Sequence, residues 1–171
     1  RGTCVLFGDG AGAAYLEESD KGIISVVQGS IGKKGMVLNC ESRRTHNIFT
    51  EAGIEHDYLH MDGQAVYKFA VRQCPKCLLE ALEKADMTAD DIDYFVLHQA
   101  NVRIIESVAK RLKAPIEKFP MTLGYTGNMS AASVPVMLDS LVRDGGLKRG
   151  DKVAMSAFGA GLTYGAIVLE W

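Results

Sequence analysis

The stretch that decides the fold is DYFVLHQANVRIIESVAKRLK, residues 93–113. Its first five residues read as a strand buried on both faces, apolar from Tyr94 to Leu97. Its last thirteen place Val102, Ile105, Val108, Ala109 and Leu112 at helical spacing, which is the apolar stripe of an amphipathic helix. Only His98, Gln99 and Ala100 stand between the two. A buried strand that turns at once into an amphipathic helix is the repeating unit of an α/β fold. It sets His98 at the C-terminal end of a strand, where open α/β sheets build their sites.

Outward from this unit the same reading continues. Upstream, Thr88 reads as a helix N-cap with Asp90 and Asp91 in the first turn. Residues 62–85 are helical by the recurrence of Val66, Phe69 and Ala70 and then of Leu78, Leu79 and Leu82, and Pro75 is expected to break them into two helices. The segment 30–60 is polar, rich in Gly and His and without a period, so it reads as a long excursion over the sheet, of a length that usually shapes a site. Residues 2–7, 13–17 and 22–28 read as three opening strands around the small-residue turn GDGAGA at 8–13. Downstream, a helix from about 129 to 143 stops at Gly145-Gly146. Strands 152–157 and 163–170 close the chain around Phe158-Gly159-Ala160-Gly161. The expectation is a layered α/β architecture, a mixed sheet covered by helices, in one domain over 1–171 with no internal repeat.

Composition narrows the function classes. Of 171 residues, 47% are hydrophobic and 23% charged, which excludes the disordered and collagen-like classes. The apolar runs fall short of the roughly 20 residues of a spanning helix, so no membrane insertion is expected. Nineteen basic and 21 acidic residues give a net charge of −2, so no overall field favours nucleic acid or an anionic membrane. Four cysteines without a signal peptide fit a reducing, cytoplasmic setting. A start at Arg1-Gly2, already inside an expected strand, suggests a piece of a longer polypeptide.

Three groups of residues can carry chemistry. His98 at a strand end, facing the start of helix 101–113, is expected to be held neutral by the positive helix end, as a donor without charge; a histidine that merely caps a strand end is the plain alternative. Asn128, in GYTGNMS at 124–130, either caps the following helix or points at a ligand. The loop AFGAG at 157–161 either aims backbone N–H groups at an anionic oxygen or is a simple hairpin turn. Cys74 and Cys77 form a single CxxC, and His46, His56 and His60 are only loosely available as further ligands, so no metal is expected. Gly8, Gly10 and Gly12 do not match the dinucleotide fingerprint and read as a turn against the sheet.

The segments MDGQAVYKFAVR (61–72), HQANVRII (98–105), GNMSAASVPVMLD (127–139) and SAFGAGLTYGA (156–166), with GDGAGAAYL at 8–16, occur together and in this order. In this they resemble the C-terminal half of β-ketoacyl-acyl carrier protein synthase III, a branch of the thiolase-like condensing enzymes. Chalcone synthases share the GNMS-like turn but are less similar around the histidine. The resemblance covers essentially the whole chain and implies a thiolase-like half-fold. It also implies a decarboxylative Claisen condensation between a primer acyl-CoA and malonyl-acyl carrier protein, with no cofactor, in a homodimeric full-length enzyme.

By the same resemblance His98 and Asn128 are the histidine and asparagine of a Cys-His-Asn triad. The Ala160 backbone N–H serves an oxyanion hole, and Asn101 and Gly63 line the pantetheine tunnel. Arg103, Lys110 and Arg111, with Lys113 nearby, dock the acidic carrier, although such a charge group otherwise reads as a solvated face. None of Cys4, Cys40, Cys74 and Cys77 matches the nucleophile, which is expected in an absent N-terminal half. An isolated half is expected to expose an apolar face and to self-associate. The alternatives are another thiolase-fold condensing enzyme, of polyketide or quinolone type, and a noncatalytic carrier-binding half-protein.

Overall fold

The computed structural model describes residues 3–40, 49 and 58–171. Its elements in chain order are β1 (Ile23–Ser30), β2 (Leu38–Asn39), β3 (His60–Met61), α1 (Gly63–Lys84), β4 (Tyr94–Leu97), α2 (Val102–Leu112), α3 (Leu123–Thr126), α4 (Ser133–Arg143), β5 (Lys152–Gly159) and β6 (Thr163–Glu170). Among the described residues, four strands make a mixed sheet in the order β1-β6-β5-β4. Only β4 and β5 run parallel, with Tyr94 opposite Val153 and Leu97 opposite Ser156. The fold is α/β and thiolase-like, a sheet with helices on both faces.

The period-2 alternation of the strands sends neighbouring residues to opposite cores. Phe95 and Ala154 join Ala70, Cys74, Leu78, Ile105 and Val108 on the face covered by α1 and α2. Val96 and Val153 instead meet Met137 of α4 and Leu147. This is why the run is apolar at successive positions after Asp93: Phe95, Val96 and Leu97 are all buried. Asp62 caps α1 by accepting from the Ala65 N–H at 3.0 Å. Asn101 caps α2 by accepting from the Arg103 N–H at 2.9 Å, and Lys113 ends that helix with φ of 57°. The stripe of α2 differs by one residue from its expected form, since Ile104 is buried and Val102 is exposed.

Three expectations need correction. Helix α1 runs unbroken through Pro75. The ring removes one backbone bond, at a cost of roughly 3 kcal/mol in an exposed helix. Burial of Phe69, Ala70, Cys74, Cys77, Leu78, Ala81 and Leu82 along one side outweighs it, at about 1.5–3 kcal/mol for each large side chain. Among the described residues, the expected strands at 2–7 and 13–17 do not form. Residues 3–6 make a turn, Phe7 makes an isolated bridge to Asn128, and no regular structure follows until β1. Their β-favouring residues find no neighbouring strand to pair with, and Val5, Tyr15 and Leu16 stay at least 80% exposed. The expected helix at 129–143 divides into a 3₁₀ turn at Ser130–Ala132 and α4.

The glycines at 8–12 pack along the 126–135 segment rather than against the sheet. A Cβ at Gly8 would meet the Thr126 carbonyl oxygen, and one at Gly10 the Met129 side chain. The other elements stand close to expectation. Asp91 accepts from both the N–H and the hydroxyl of Thr88 at 2.7 Å, closing a short 3₁₀ turn at Ala89–Asp91. Most of the excursion, with His46 and His56, lies outside the described residues. Edge strand β1 exposes Ile24 and Val26 on the sheet face beside α4. No described helix is long and apolar enough to cross a membrane.

Candidate active site

Strand β4 carries its ladder one residue past its end, because the His98 N–H donates to the Ser156 carbonyl at 2.9 Å. This fixes the histidine backbone against β5. Its ring meets Phe158 edge to face, with centroids 5.3 Å apart and planes at 74°. Phe158 in turn meets Phe69, and Phe69 meets Tyr164, in the same manner at 6.5 and 6.1 Å. Surrounded in this way, the imidazole is pushed down from 6.5 to about 4 by burial. It is therefore neutral at pH 7, as expected from the sequence, but the cause is desolvation rather than the start of α2.

Asn128 arrives from the other side. After α3 the chain turns at Gly127, with φ of 66°, a conformation that glycine adopts without strain. The Asn128 N–H then donates to the Leu6 carbonyl at 2.9 Å, and its carbonyl accepts from the Gly8 N–H at 3.0 Å. The side-chain oxygen accepts from the Ser130 N–H at 2.8 Å. Of the two readings of Asn128, the cap and the ligand contact, the structure accommodates both: Oδ1 closes the turn, which leaves Nδ2 as the donor end of the amide. Ser130 holds φ of 53° to make this bond, a backbone strain of the kind that gathers at functional sites.

His98, Asn128, Gly63, Asn101 and Ala160 all line one cavity of about 290 Å³. Five residues singled out from separate parts of the sequence thus meet at one place. Ala160 sits in the β5–β6 turn, where its carbonyl accepts from the Thr163 hydroxyl at 3.0 Å. The remaining wall is mostly apolar and includes Leu38, Met61, Val66, Ile104 and Phe158. Tyr67 also lines the cavity. Sequence reasoning left out this wall, of which only Val66, in the helical recurrence with Phe69 and Ala70, carried a signal. Two neutral donors facing a largely apolar cavity can stabilise a negative oxygen that develops there, with little competition from water.

The basic residues lie apart from the cavity. Arg103, Lys110 and Arg111 are all exposed on α2. At 3.6 residues per turn, Lys110 falls within about 20° of Arg103, whereas Arg111 is about 80° further round. Arg111 lines a separate shallow cleft with Lys76, Leu79, Glu80 and Glu83 of α1. No cysteine lines the cavity. Burial pushes the Cys74 thiol up to about 12 and the Cys77 thiol up to about 11, and Cys4 and Cys40 are exposed. His60 lies on β3 and does not line the cavity. Among the described residues no three His, Cys, Asp or Glu side chains come together.

Comparison with known proteins gives the family of the chain. A family described as 3-Oxoacyl-[acyl-carrier-protein (ACP)] synthase III C terminal matches residues 82–171, and one described as 3-Oxoacyl-[acyl-carrier-protein (ACP)] synthase III matches residues 1–35. The chain is 48% identical to a beta-ketoacyl-[acyl-carrier-protein] synthase III of Synechococcus sp. (strain WH7803), over all of this chain and 52% of that protein. It is 46% identical to the protein of the same name from Clostridium novyi (strain NT), over all of this chain and 53% of that protein. Its fold superposes on a crystal structure of 3-oxoacyl-[acyl-carrier-protein] synthase III from Aquifex aeolicus VF5 with a TM-score of 0.84 and 34% identity, over the whole chain and 52% of that structure. The chain spans about half the length of the curated relatives it matches. The matched 82–171 carries β4, α2 and the turn that brings Asn128 to the cavity that His98 lines, and on that match the chain belongs to the 3-oxoacyl-[acyl-carrier-protein] synthase III family.

Proposed function

We propose that the protein carrying this chain joins an acyl-CoA primer to malonyl-acyl carrier protein by decarboxylative Claisen condensation, the step that initiates fatty acid biosynthesis. The observation that carries this reading is the pair of uncharged donors, His98 and Asn128, lining one cavity with mostly apolar walls. The bond between the malonyl α-carbon and its carboxylate breaks, carbon dioxide leaves, and the electron pair moves onto the thioester oxygen as an enolate. The His98 imidazole N–H and the Asn128 Nδ2–H donate to that oxygen, at about 3–4 kcal/mol per donor in a dry site. The enolate carbon then attacks the acyl thioester held on the enzyme. The new carbon–carbon bond forms as the thiolate leaves. Atoms and electrons balance without a redox partner or a metal.

The thiol that carries the acyl group belongs, in this reading, to a part of the protein outside this chain. Cys74 and Cys77 are buried with raised pKa values and no cysteine lines the cavity, whereas a nucleophilic thiol needs the thiolate within reach. The Ala160 N–H serves the oxyanion of the acyl-transfer step, and Gly63 and Asn101 border the path of the pantetheine arm. Arg103, Lys110 and Arg111 dock the acidic carrier protein. The full-length protein works as a cytoplasmic homodimer in which this chain packs on its other half.

The test pairs intact-mass measurement of the native sample with carbon dioxide release from malonyl-acyl carrier protein, with and without His98→Ala. Release that the substitution abolishes supports the reading, and a native protein that releases none overturns it.

A further inference from the structure

Gln99 follows His98 directly and takes no part in the steps above. It is 0% exposed, which is uncommon for glutamine, and both ends of its amide are engaged. Oε1 accepts from the Thr122 N–H at 3.1 Å, while Nε2 donates to the Leu97 carbonyl at 2.9 Å and the Pro120 carbonyl at 3.4 Å. Leu97 is the last residue of β4, immediately before His98. Thr122 is the first anchor of the turn that leads to Asn128. Its carbonyl accepts from the N–H groups of Tyr125 and Thr126 and from the Thr126 hydroxyl, and Gly127 and Asn128 come next.

We propose that Gln99 is a positioning residue that sets the spacing between His98 and Asn128 by tying the strand end that carries one to the turn that delivers the other. Its catalytic consequence rests on the condensation reading. The geometry has two parts that separate positioning from mere packing. The segment 119–122 is also held to β4 by the stack of Phe119 on Phe95, with centroids 4.7 Å apart and planes at 8°, so the segment keeps its place in the core without Gln99. What Gln99 adds is directional bonding to the end of β4 and to the turn at once, where Lys118 bonds only to the entry of the strand, at the Asp90 and Ile92 carbonyls, and hydrogen-bond geometry fixes position more sharply than apolar contact does. Two elements left free to shift past one another by an ångström would move the two donors apart, and misplacement on that scale slows catalysis substantially.

The experiment uses the full-length enzyme that contains this sequence. Gln99→Met keeps the length of the side chain and loses all three bonds; Gln99→Glu keeps an acceptor for the Thr122 N–H. Decarboxylation of the malonyl thioester gives kcat and KM, and NMR titration of labelled histidine, assigned with His98→Ala, follows the His98 imidazole. For Gln99→Met we expect kcat to fall by about 10- to 100-fold, with KM changing by less than about threefold. The His98 titration should rise from about 4 towards 6.5 as the loosened strand end admits water, and Gln99→Glu should recover part of both. An unchanged kcat and titration in folded Gln99→Met overturns the proposal. So does a loss of kcat that vanishes when cooling restores the folded fraction while the titration stays in place. If the parent enzyme releases no carbon dioxide, the condensation reading falls and the titration alone decides: a shift supports the clamp, and its absence overturns it.

Discussion

Phe158 and His98 meet edge to face at 5.3 Å, so the ring that follows β5's buried core also screens the histidine from water. Desolvation is the cause of the imidazole's low pKa, and Phe158 supplies part of it. Phe158→Ala should therefore raise the His98 pKa from about 4 towards 6.5. The decarboxylation rate should then fall as pH drops through 6.5, where the parent remains near its plateau. A pH profile with its acid limb in the same place in both proteins would show that other groups keep His98 dry.

The same shift makes the fold sensitive to acid. Between pH 6.5 and about 4 the unfolded chain binds a proton at His98 that the native chain does not. Stability contributed by the neutral ring is thus complete above pH 6.5 and is lost as pH falls through this window, at about 1.4 kcal/mol per unit or about 3 kcal/mol in all. Denaturant unfolding at pH 7 and pH 4.5 measures it. In His98→Gln the difference between the two pH values should shrink by most of that amount, and an unchanged difference would rule out His98 as its source.

What could be read from the sequence, and what could not, divides along physical lines. β4 was legible as a short apolar run, α2 by its helical period, which erred only in taking Val102 for Ile104 as a buried position, and β5 and β6 as apolar runs around the small-residue loop at 158–161. The convergence of His98, Asn128, Gly63, Asn101 and Ala160 followed from segment order and resemblance, not from any local pattern. Pro75 misled because helix-breaking is a local cost, overcome here by core burial that no window of sequence displays. Residues 2–7 misled in the opposite sense: they have the apolar content of a strand but no strand beside them. Gln99 was passed over because two of its partners, Pro120 and Thr122, are 21 and 23 residues away in sequence and only the fold brings them to one side chain with Leu97.

Gly127 tests how the Asn128 turn is held. It has φ of 66°, and a Cβ there would lie 3.3 Å from the Gly8 nitrogen and 3.4 Å from the Leu6 oxygen. Gly127→Ala should lower stability by about 1–3 kcal/mol through the backbone alone, because φ of 66° with ψ of −169° is a region that essentially only glycine occupies. Crowding against Leu6 and Gly8 should loosen the two backbone bonds that hold Asn128, so decarboxylation should fall further than the loss of folded protein explains. Thermal unfolding and kcat measured on the same preparation separate the two effects. A drop in stability with kcat unchanged would mean that the turn absorbs the methyl group without moving Asn128.

The exposed cations of α2 give a prediction that separates docking from chemistry. Arg103 and Lys110 share a face, whereas Arg111 is turned towards a cleft that contains Glu80 and Glu83 of α1. If an acidic carrier protein is recognised here, Arg103 and Lys110 meet it as exposed charges, which govern association and its salt dependence more than any step after binding. Arg103→Glu and Lys110→Glu should each raise KM for malonyl-acyl carrier protein by about tenfold at low salt, an effect that shrinks as added salt screens the charges. kcat, and the KM for a malonyl thioester of coenzyme A, should stay near the parent values. Arg111→Glu should have the smaller effect, because its neighbours on α1 already offer it negative charge. Equal effects of all three on both malonyl thioesters would place these residues outside carrier docking and return α2 to the role of a solvated helix face.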